Sequence, residues 1–347
     1  MIFDFKKYIR SQLLTLTSYQ SARQEFEGDG RSMILLDANE NPFASEVNRY
    51  PDPMQRELKQ EIANWKGVEE NQLYLCNGSD EFISNVIMSC CEPGKDSIMI
   101  VPPTFGMYKV SAKTYGVEIQ EVPLTTTFQL DVDSILERAD ERSKIIFIPT
   151  PNNPTGNNFD LDSIAQIIQG FPGLVVVDEA YVEFSSNPSV IPWLSKYPNL
   201  MVCQTFSKAQ GMAGARLGMA FAHPDFISFF NRIKAPYNIN SLTINAALKR
   251  LKEQNIVKEQ VQLLVAERQR LEKAFASIPC IEKWYPSDAN FLLVRFDESS
   301  LRYKQLLEKG IVVRNPSKNL NCENTLRISV GLPEENNHLI EVLSNLS

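Results

Sequence analysis

The chain has 347 residues, 43% hydrophobic and 22% charged, with 35 Lys and Arg against 42 Asp and Glu, a net charge of −7. At roughly 150 residues per domain the length predicts about two domains, and the acidic balance argues against a nucleic-acid-binding protein, which needs clustered basic residues. Its two histidines, His223 and His338, are far apart in sequence, which excludes an HExxH protease or a histidine-built zinc site. We predict no metal.

The cysteines and the N-terminus indicate where the protein acts. The six cysteines lie mostly in apolar stretches and form no CxxC pair, which predicts reduced core residues rather than disulfides. The N-terminus has no apolar run of signal-peptide length, and no stretch is long enough to cross a bilayer. We therefore expect a soluble, cytoplasmic protein.

In chain order, turn-forming stretches near residues 37–42 and 50–53 are followed by helix-length segments that alternate with short apolar runs. Uniformly apolar runs are typical of strands covered on both faces, and they occur at Ser97–Val101, Lys144–Ile148, Leu174–Val177 and Leu200–Cys203. Helical segments between such strands imply right-handed crossovers. The sequence therefore predicts an α/β fold with a three-layer large domain and a mostly parallel sheet.

The spacing of apolar residues changes in the C-terminal part of the chain. Apolar residues recur at helical spacing from Thr243 to about Ile278, with a candidate interruption at Glu253–Asn255. A small α+β domain should follow, with elements at residues 290–294 (strand), 301–308 (helix), 311–314 and 326–330 (strands) and a final helix from Pro333. We place the boundaries at 1–48 for an N-terminal arm and part of the small domain, 49–245 for the large domain and 246–347 for the C-terminal small domain.

Polar side chains directly follow the predicted strands of the large domain. Asn153 follows one strand, Asp178 and Tyr181 the next, and Ser207 and Lys208 another. Ligands of open α/β sheets bind at the carboxyl ends of strands, so these side chains should meet in one crevice. Asp178 would be a partly desolvated carboxylate there, although an isolated Asp in this position equally suits a helix N-cap.

Other groups near this crevice each have a functional and a structural interpretation. Lys208 precedes the small-residue run Gly211–Ala215, where we expect a buried amine of lowered pKa; a solvated lysine is the alternative. Arg216 would bind an anion or pair with a surface carboxylate. Asn77–Glu81 opens a helix whose free N–H groups suit a phosphate, or else forms a capping box. Phe105 would stack on a planar ring or pack in the core.

Taken together, these stretches resemble the aminotransferases of pyridoxal-phosphate fold type I. The matching stretches occur in that family's order, at Asn77–Glu81, Pro151–Gly156, Val177–Tyr181, Ser207–Lys208 and Ala213–Gly218. The resemblance narrows to the histidinol-phosphate aminotransferases at Thr17–Arg23, Asp37–Asn41, Arg49–Pro51 and Pro102–Tyr108. Two residues depart from the pattern, because Phe105 stands where Tyr is usual and Gln210 where Phe is commoner.

The resemblance implies pyridoxal 5′-phosphate as cofactor, bound in the large domain. Lys208 would hold it covalently and act as general base, Asp178 would pair with its ring nitrogen, and Tyr181 would act on its ring oxygen. Further cofactor contacts would come from Asn153 at the ring oxygen, Phe105 on the ring face, and Ser79, Asp80, Ser207, Arg216 and Tyr50 at the phosphate, Tyr50 from a second subunit of a homodimer.

The implied reaction belongs to histidine biosynthesis and transfers the amino group of L-histidinol phosphate to 2-oxoglutarate, giving imidazole-acetol phosphate and L-glutamate. Arg327 and Arg314 would bind the substrate anion, with Tyr19, Asn39 and Asn153 completing the pocket. Tyr19 and Asn39 equally suit a packed aromatic residue and an Asx-turn residue.

Other functions stay open on the same fold. One is a decarboxylase acting on threonine phosphate, and another is an aromatic aminotransferase with Phe105, Tyr19 and Tyr108 lining its pocket. A ligand-sensing regulator would carry an appended DNA-binding module, for which the sequence offers no basic arm. A nicotinamide-binding enzyme would need a GxGxxG turn, which is absent from the sequence.

Overall fold

The computed structural model describes residues 3–19, Arg23 and residues 33–346. Its larger sheet has seven strands: β1 (Leu73–Cys76), β2 (Ser97–Ile100), β3 (Glu118–Glu121), β4 (Ser143–Pro149), β5 (Leu174–Asp178), β6 (Leu200–Thr205) and β7 (Gly218–Phe221). They are ordered β1-β7-β6-β5-β4-β2-β3, and β7 runs antiparallel to both of its neighbours while the pairs from β6 to β3 are parallel. The predicted mostly parallel sheet is confirmed.

Helices cover both faces of this sheet. They are α1 (Ser11–Leu14), α2 (Arg56–Lys66), α3 (Ser79–Cys90), α4 (Met107–Thr114), α5 (Val132–Arg138), α6 (Leu161–Gly170), α7 (Pro224–Ile233) and α8 (Ser241–Leu251). The next helix, α9 (Gln254–Phe275), packs instead with the C-terminal strands through Leu271 and Phe275. The candidate interruption before α9 is confirmed, because α8 ends at Leu251 and Glu253 is the N-cap of α9.

The apolar strands separate two hydrophobic clusters, one on each face. Every residue of β1, β2, β5, β6 and β7 is buried. Side chains alternate along a strand, so Leu73 and Leu75 of β1 enter a cluster with α2 and α6, whereas Tyr74 and Cys76 enter one with α3 and α7. The three-layer arrangement follows from strands that are apolar at every position.

The smaller sheet is antiparallel, in the order β10-β9-β8, and comprises β8 (Ile281–Trp284), β9 (Phe291–Phe296) and β10 (Thr325–Ser329). It packs with α10 (Ser299–Glu308) and α11 (Pro333–Ser344). The predicted strand at 311–314 is wrong: within the described chain it makes an isolated bridge, Arg314 to Arg327. Sequence analysis missed β8 because Glu282 and Lys283 interrupt its apolar character and are exposed.

The cysteines and the helix lengths bear on the expected cellular environment. All six cysteines are free and buried, as predicted. None of the described helices combines the length and apolar character that a bilayer crossing requires.

Candidate active site

Asp178 ends β5 and is almost fully buried, with 5% of its surface exposed. Its Oδ1 accepts the backbone N–H of Ala180 at 3.1 Å, and its Oδ2 accepts the hydroxyl of Tyr108 at 2.7 Å. Burial raises the pKa of Asp178 to about 6, and the two donors oppose the rise because they favour the charged form. Its alternative role as a helix N-cap is wrong, since Tyr181 is the N-cap of the 3-10 turn that follows.

Lys208 lies in the loop between β6 and β7, and its Nζ stands 5.4 Å from the centroid of the Tyr181 ring. The expectation of a buried amine is wrong for the single chain, because Lys208 is exposed. Its neighbours Phe206, Ala209 and Gln210 are buried, so the exposure belongs to the Lys208 side chain and not to the loop as a whole. The pKa of Lys208 is nevertheless lowered, first by partial desolvation and then by the positive charge of Arg327, while Asp178 opposes the shift.

Phe291 of β9 joins the two sheets at this site. Its ring meets the ring of Tyr181 edge-on at 5.1 Å, and the guanidinium of Arg327 lies 5.2 Å from its centroid. Arg327 also donates a hydrogen bond through Nη1 to Oδ1 of Asn153. Burial raises the pKa of Tyr181 to about 12. The structure therefore brings together Asn153, Tyr181, Lys208 and Arg327, as the sequence predicted, through a phenylalanine that it did not single out.

The start of α3 offers unpaired backbone N–H groups beside a cation. Its N-cap is Gly78, in the left-handed region at φ 73°, and no side chain caps it. A complete capping box is therefore absent, because Gly78 has no side chain to cap the helix, although the Glu81 carboxylate does accept the backbone N–H of Asn77. A Cβ at Gly218 of β7 would lie 2.6 Å from the nitrogen of Ser79, so this close approach requires glycine. Arg216 reaches the same end of α3 and pairs with Oδ2 of Asp80 at 3.3 Å.

These groups fit pyridoxal phosphate in their chemistry. A lysine amine of lowered pKa suits its aldehyde, and a buried carboxylate suits its protonated ring nitrogen. The uncapped N-terminus of α3 beside Arg216 suits its phosphate. Ser207 follows β6 at the same edge and is half-buried, as is Phe105, which meets the ring of Tyr108 edge-on at 5.6 Å.

Tyr19, Asn39 and Tyr50 lie elsewhere in the single chain. They line a cavity of about 540 Å³, together with Asp37, Ala38, Pro236 and Tyr237. Tyr50 stacks on Tyr237 at 4.3 Å, and within the described residues none of the three is hydrogen-bonded to Lys208. Tyr19 is 74% exposed, so its alternative as a packed aromatic is wrong. Asn39 has φ 55°, a backbone conformation that the Asx-turn alternative allows.

Glu40 organises the segment around this cavity, a role that sequence analysis missed. Its carboxylate accepts both terminal nitrogens of Arg23, at 2.8 and 3.0 Å, Nη1 of Arg49 at 2.8 Å and the backbone N–H of Tyr50 at 2.6 Å. The hydrogen bond from Arg23 is the largest influence that lowers the pKa of Glu40 to about 2. The available signal was the presence of Arg23, Glu40 and Arg49 in three stretches that match one family.

Gln210, which stands where Phe is commoner in the family, forms buried hydrogen bonds. Gln210 is 1% exposed, and its amide exchanges hydrogen bonds of 3.0 and 3.4 Å with that of Gln254, the first residue of α9. Its backbone carbonyl accepts Nε of Arg250 at 2.8 Å. The loop that carries Lys208 is thus tied to the helix leading towards the small sheet. The aromatic-pocket alternative for Tyr108 is wrong, because that residue is fully buried.

Comparison with known proteins identifies the family. The profile described as "Aminotransferase class I and II" matches residues 33–343. Histidinol-phosphate aminotransferases from Flavobacterium psychrophilum and Parabacteroides distasonis are 47% identical over 344 residues and 48% identical over 343 residues, and 99% of each chain is covered. The crystal structure of histidinol-phosphate aminotransferase from Sinorhizobium meliloti in complex with pyridoxal-5′-phosphate shares the fold, with a TM-score of 0.78 at 23% identity over 85% of this chain and 82% of that chain. The chain belongs to the class I and II aminotransferases, within the group of histidinol-phosphate aminotransferases.

Proposed function

We propose that the protein transfers the amino group of L-histidinol phosphate to 2-oxoglutarate, giving imidazole-acetol phosphate and L-glutamate in histidine biosynthesis. As an enzyme of this family it depends on pyridoxal phosphate. The observation that carries the proposal is the position of Asp178 and Lys208 at the carboxyl ends of the adjacent strands β5 and β6, with the ring of Tyr181 below the amine. The names of the near-full-length relatives support the substrate.

Lys208 and Asp178 carry the chemical roles. Pyridoxal phosphate, when bound, accepts the electron pair left when the carbon bearing the substrate amine loses a proton. Lys208 holds the cofactor through its ε-amine and then moves that proton as general base, and its lowered pKa favours the free amine that both tasks require. Asp178 keeps the ring nitrogen protonated, because a carboxylate beside it stabilises the positive charge.

The remaining cofactor contacts follow the ends of the strands. Tyr181 and Asn153 bond the ring oxygen, and Phe105 covers a ring face. The backbone N–H groups at Ser79 and Asp80, together with Ser207 and Arg216, hold the phosphate. The uncapped N-terminus of α3 supports this assignment, since unpaired N–H groups and the helix dipole both favour an anion there.

Arg327 and Arg314 serve as the anion site for both substrates. Their backbones exchange two hydrogen bonds, of 2.8 and 3.1 Å, which keeps the two residues side by side. Histidinol phosphate presents a phosphate and glutamate a carboxylate, and a guanidinium fork binds either group. The hydrogen bond to Asn153 and the ring of Phe291 hold Arg327 in place before the substrate arrives.

The working form is a homodimer in which each copy completes the other's site. The arm around the cavity displays Ile34, Leu36 and Phe43 with 88%, 87% and 81% of their surfaces exposed. Apolar side chains displayed in this way favour a protein interface. A second copy packed there would receive Tyr50 at its cofactor phosphate and Tyr19 and Asn39 at its substrate pocket. It would also cover the exposed Lys208.

Two further proposals concern the cellular compartment and the domain boundaries. The protein acts in the cytoplasm, where reduced thiols persist, and its six free, buried cysteines are compatible with that compartment. The large cofactor-binding domain spans residues 49–245, the small domain residues 246–347, and residues 1–48 form the arm and part of the small domain.

An amino-transfer assay with purified protein tests the function. Glutamate formation from 2-oxoglutarate is measured with histidinol phosphate, phenylalanine or threonine phosphate as donor, and carbon dioxide is measured in the last case. Histidinol, which lacks the phosphate, is the matched control; its kcat/KM should be at least about 100-fold lower because the guanidinium contact is lost. Faster turnover of phenylalanine would favour an aromatic aminotransferase, and carbon dioxide release would favour a decarboxylase.

A further inference from the structure

Tyr108 contacts both the hydrophobic core and the carboxylate of Asp178. It lies on α4, is fully buried, and its ring stacks on that of Phe147 of β4 at 4.6 Å with an interplanar angle of 11°. Its hydroxyl donates to Oδ2 of Asp178 at 2.7 Å. The ring and the hydroxyl are therefore each fixed by a separate contact.

We propose that Tyr108 is a positioning residue for the catalytic carboxylate, whose hydroxyl keeps Asp178 oriented and ionised to receive the cofactor's ring nitrogen. The proposal rests on the function proposed above. A carboxylate has about four acceptor positions. Tyr108 and Ala180 occupy one on each oxygen, so acceptor capacity remains on both.

The surroundings of Asp178 explain why such a donor matters. Burial favours its neutral form, which would not stabilise a protonated ring, and the Tyr108 hydroxyl is the largest opposing influence on its pKa. The ionisable groups that face Asp178 come from several elements, namely Asp80 on α3, Tyr108 on α4, Cys203 on β6, Tyr181 after β5 and Lys208 after β6. Asp80 raises its pKa and Lys208 lowers it, each less than Tyr108 does.

A packing role and a positioning role differ in their pH dependence. Tyr108→Phe keeps the ring on Phe147 and removes only the hydroxyl. The pKa of Asp178 should then rise further above about 6, because the donor favoured the charged form. A tyrosine that served only packing would change stability by the same amount at every pH.

The first experiment measures unfolding of the full chain without cofactor from pH 5 to pH 8. Below pH 5 Asp178 is protonated in both proteins, so the variant does not lose the stability that the hydroxyl gives to the ionised carboxylate. Above pH 7 it is ionised, and the variant lacks its donor. The ratio of the two proteins' unfolding constants should grow by about tenfold across this range for a pKa shift of about one unit. A constant ratio would overturn the proposal.

The second experiment measures cofactor release from the holoenzyme by absorbance over the same range, and its expected trend is opposite. The variant must give up a proton before its carboxylate can pair with the ring, so its affinity falls most at low pH. The ratio of variant to wild-type dissociation constants should be about fivefold larger at pH 6 than at pH 8. Equal ratios at both values would contradict the proposal.

Matched variants separate this effect from a general loss. Tyr74→Phe removes another fully buried hydroxyl, which accepts from Asn85 at 3.0 Å rather than contacting a carboxylate, and should leave both pH trends at wild-type values. In an Asp178→Asn background, Tyr108→Phe should have a pH-independent effect. If Tyr108→Phe does not fold, 3-fluorotyrosine at position 108, a stronger donor, should shift both trends in the opposite direction; no shift would overturn the proposal.

The outcomes also separate this inference from the proposed function. If the wild-type protein fails to transfer an amino group from histidinol phosphate, the proposed function is wrong. The unfolding comparison still decides whether Tyr108 acts on the Asp178 carboxylate, because it needs neither substrate nor cofactor.

Discussion

The ends of β5 and β6, which form the inner wall of the site, differ in construction from the segment of residues 33–50, which includes the described end of the arm and the first residues of the large domain and is called the arm below. On the inner wall, Asp178 is buried and pairs in register with Pro149 of β4 and Cys203 of β6. In the arm, Tyr50 is 51% exposed and is held by one ring stack and by hydrogen bonds of its backbone to Glu40 and Arg23. The sheet thus buries Asp178 in the core of a single chain, whereas the arm leaves about half of the Tyr50 surface exposed.

Substitutions in the two regions should therefore affect different steps of the reaction. Changes on the inner wall should alter the chemical step, because we propose that those groups act on the cofactor within their own chain. Changes in the arm should alter substrate binding and should depend on a second copy, since the arm's side chains lie in a separate cavity.

The largest expected effect is that of Lys208→Ala. Removing the amine eliminates both the covalent attachment and the general base, so turnover should fall by roughly 10³-fold or more and the visible absorbance of lysine-bound cofactor should disappear. Steady-state assays and absorbance spectra measure both. Lys258→Ala, at an exposed position of α9, is the control. Persistence of absorbance and turnover in Lys208→Ala would refute the assignment.

Asp178→Asn should follow in size. The amide keeps the shape of the side chain but removes the charge that stabilises a protonated ring, so the cofactor should still bind while the rate falls by about 10²- to 10³-fold. Absorbance spectra report the binding, and single-turnover kinetics report the chemical step. An unchanged rate would remove Asp178 from its catalytic role and weaken the distinction between the two regions.

A mixing experiment tests whether the arm acts across subunits. Lys208→Ala and Tyr50→Ala proteins, both impaired alone, are unfolded, combined and refolded. In a random mixture about half of the dimers are hybrid, and each hybrid has one site with both residues intact if Tyr50 serves the partner. Activity should then recover well above that of either variant refolded alone. No recovery would mean that Tyr50 acts within its own chain or not at all.

The smallest expected effect is that of Glu40→Gln. The amide cannot accept the paired hydrogen bonds of Arg23 with the strength of a carboxylate, so the arm should loosen. KM for histidinol phosphate should rise by roughly tenfold with little change in kcat. Asp37→Asn is the graded control, because Asp37 holds Arg23 by a single hydrogen bond, and it should have a smaller effect. A fall in kcat alone would contradict a role in the arm.

The pKa values add a pH test of the same arm. Glu40 has a pKa lowered to about 2 from an ordinary value of 4.5. Its contribution to stability is therefore present above about pH 4.5 and is lost as the pH falls towards 2. Acid unfolding of Glu40→Gln should lack this part of the pH dependence.

Much of the inner wall could be predicted because its signals are local. The uniformly apolar run before Asp178 predicts a buried strand and identifies Asp178 as the side chain at its end. The apolar run before Ser207 and Lys208 likewise predicts a buried strand. The small sheet was harder to predict, since the charged residues Glu282 and Lys283 obscure β8, and the apolar run at 311–313 is followed by only a single bridge, from Arg314 to β10.

The parallel sheet, the residues at the strand ends and the family could be read from the amino-acid sequence, because strand burial and motif order depend on consecutive residues. Three further facts required the folded structure: Tyr108 donates to Asp178, Phe291 links Tyr181 to Arg327, and Lys208 is exposed in a single chain. The two contacts join side chains that are far apart in sequence: Tyr108 and Asp178 are 70 positions apart, and Phe291 meets residues from two other parts of the chain. No local pattern encodes such a meeting, because it is set by how the helices and both sheets pack.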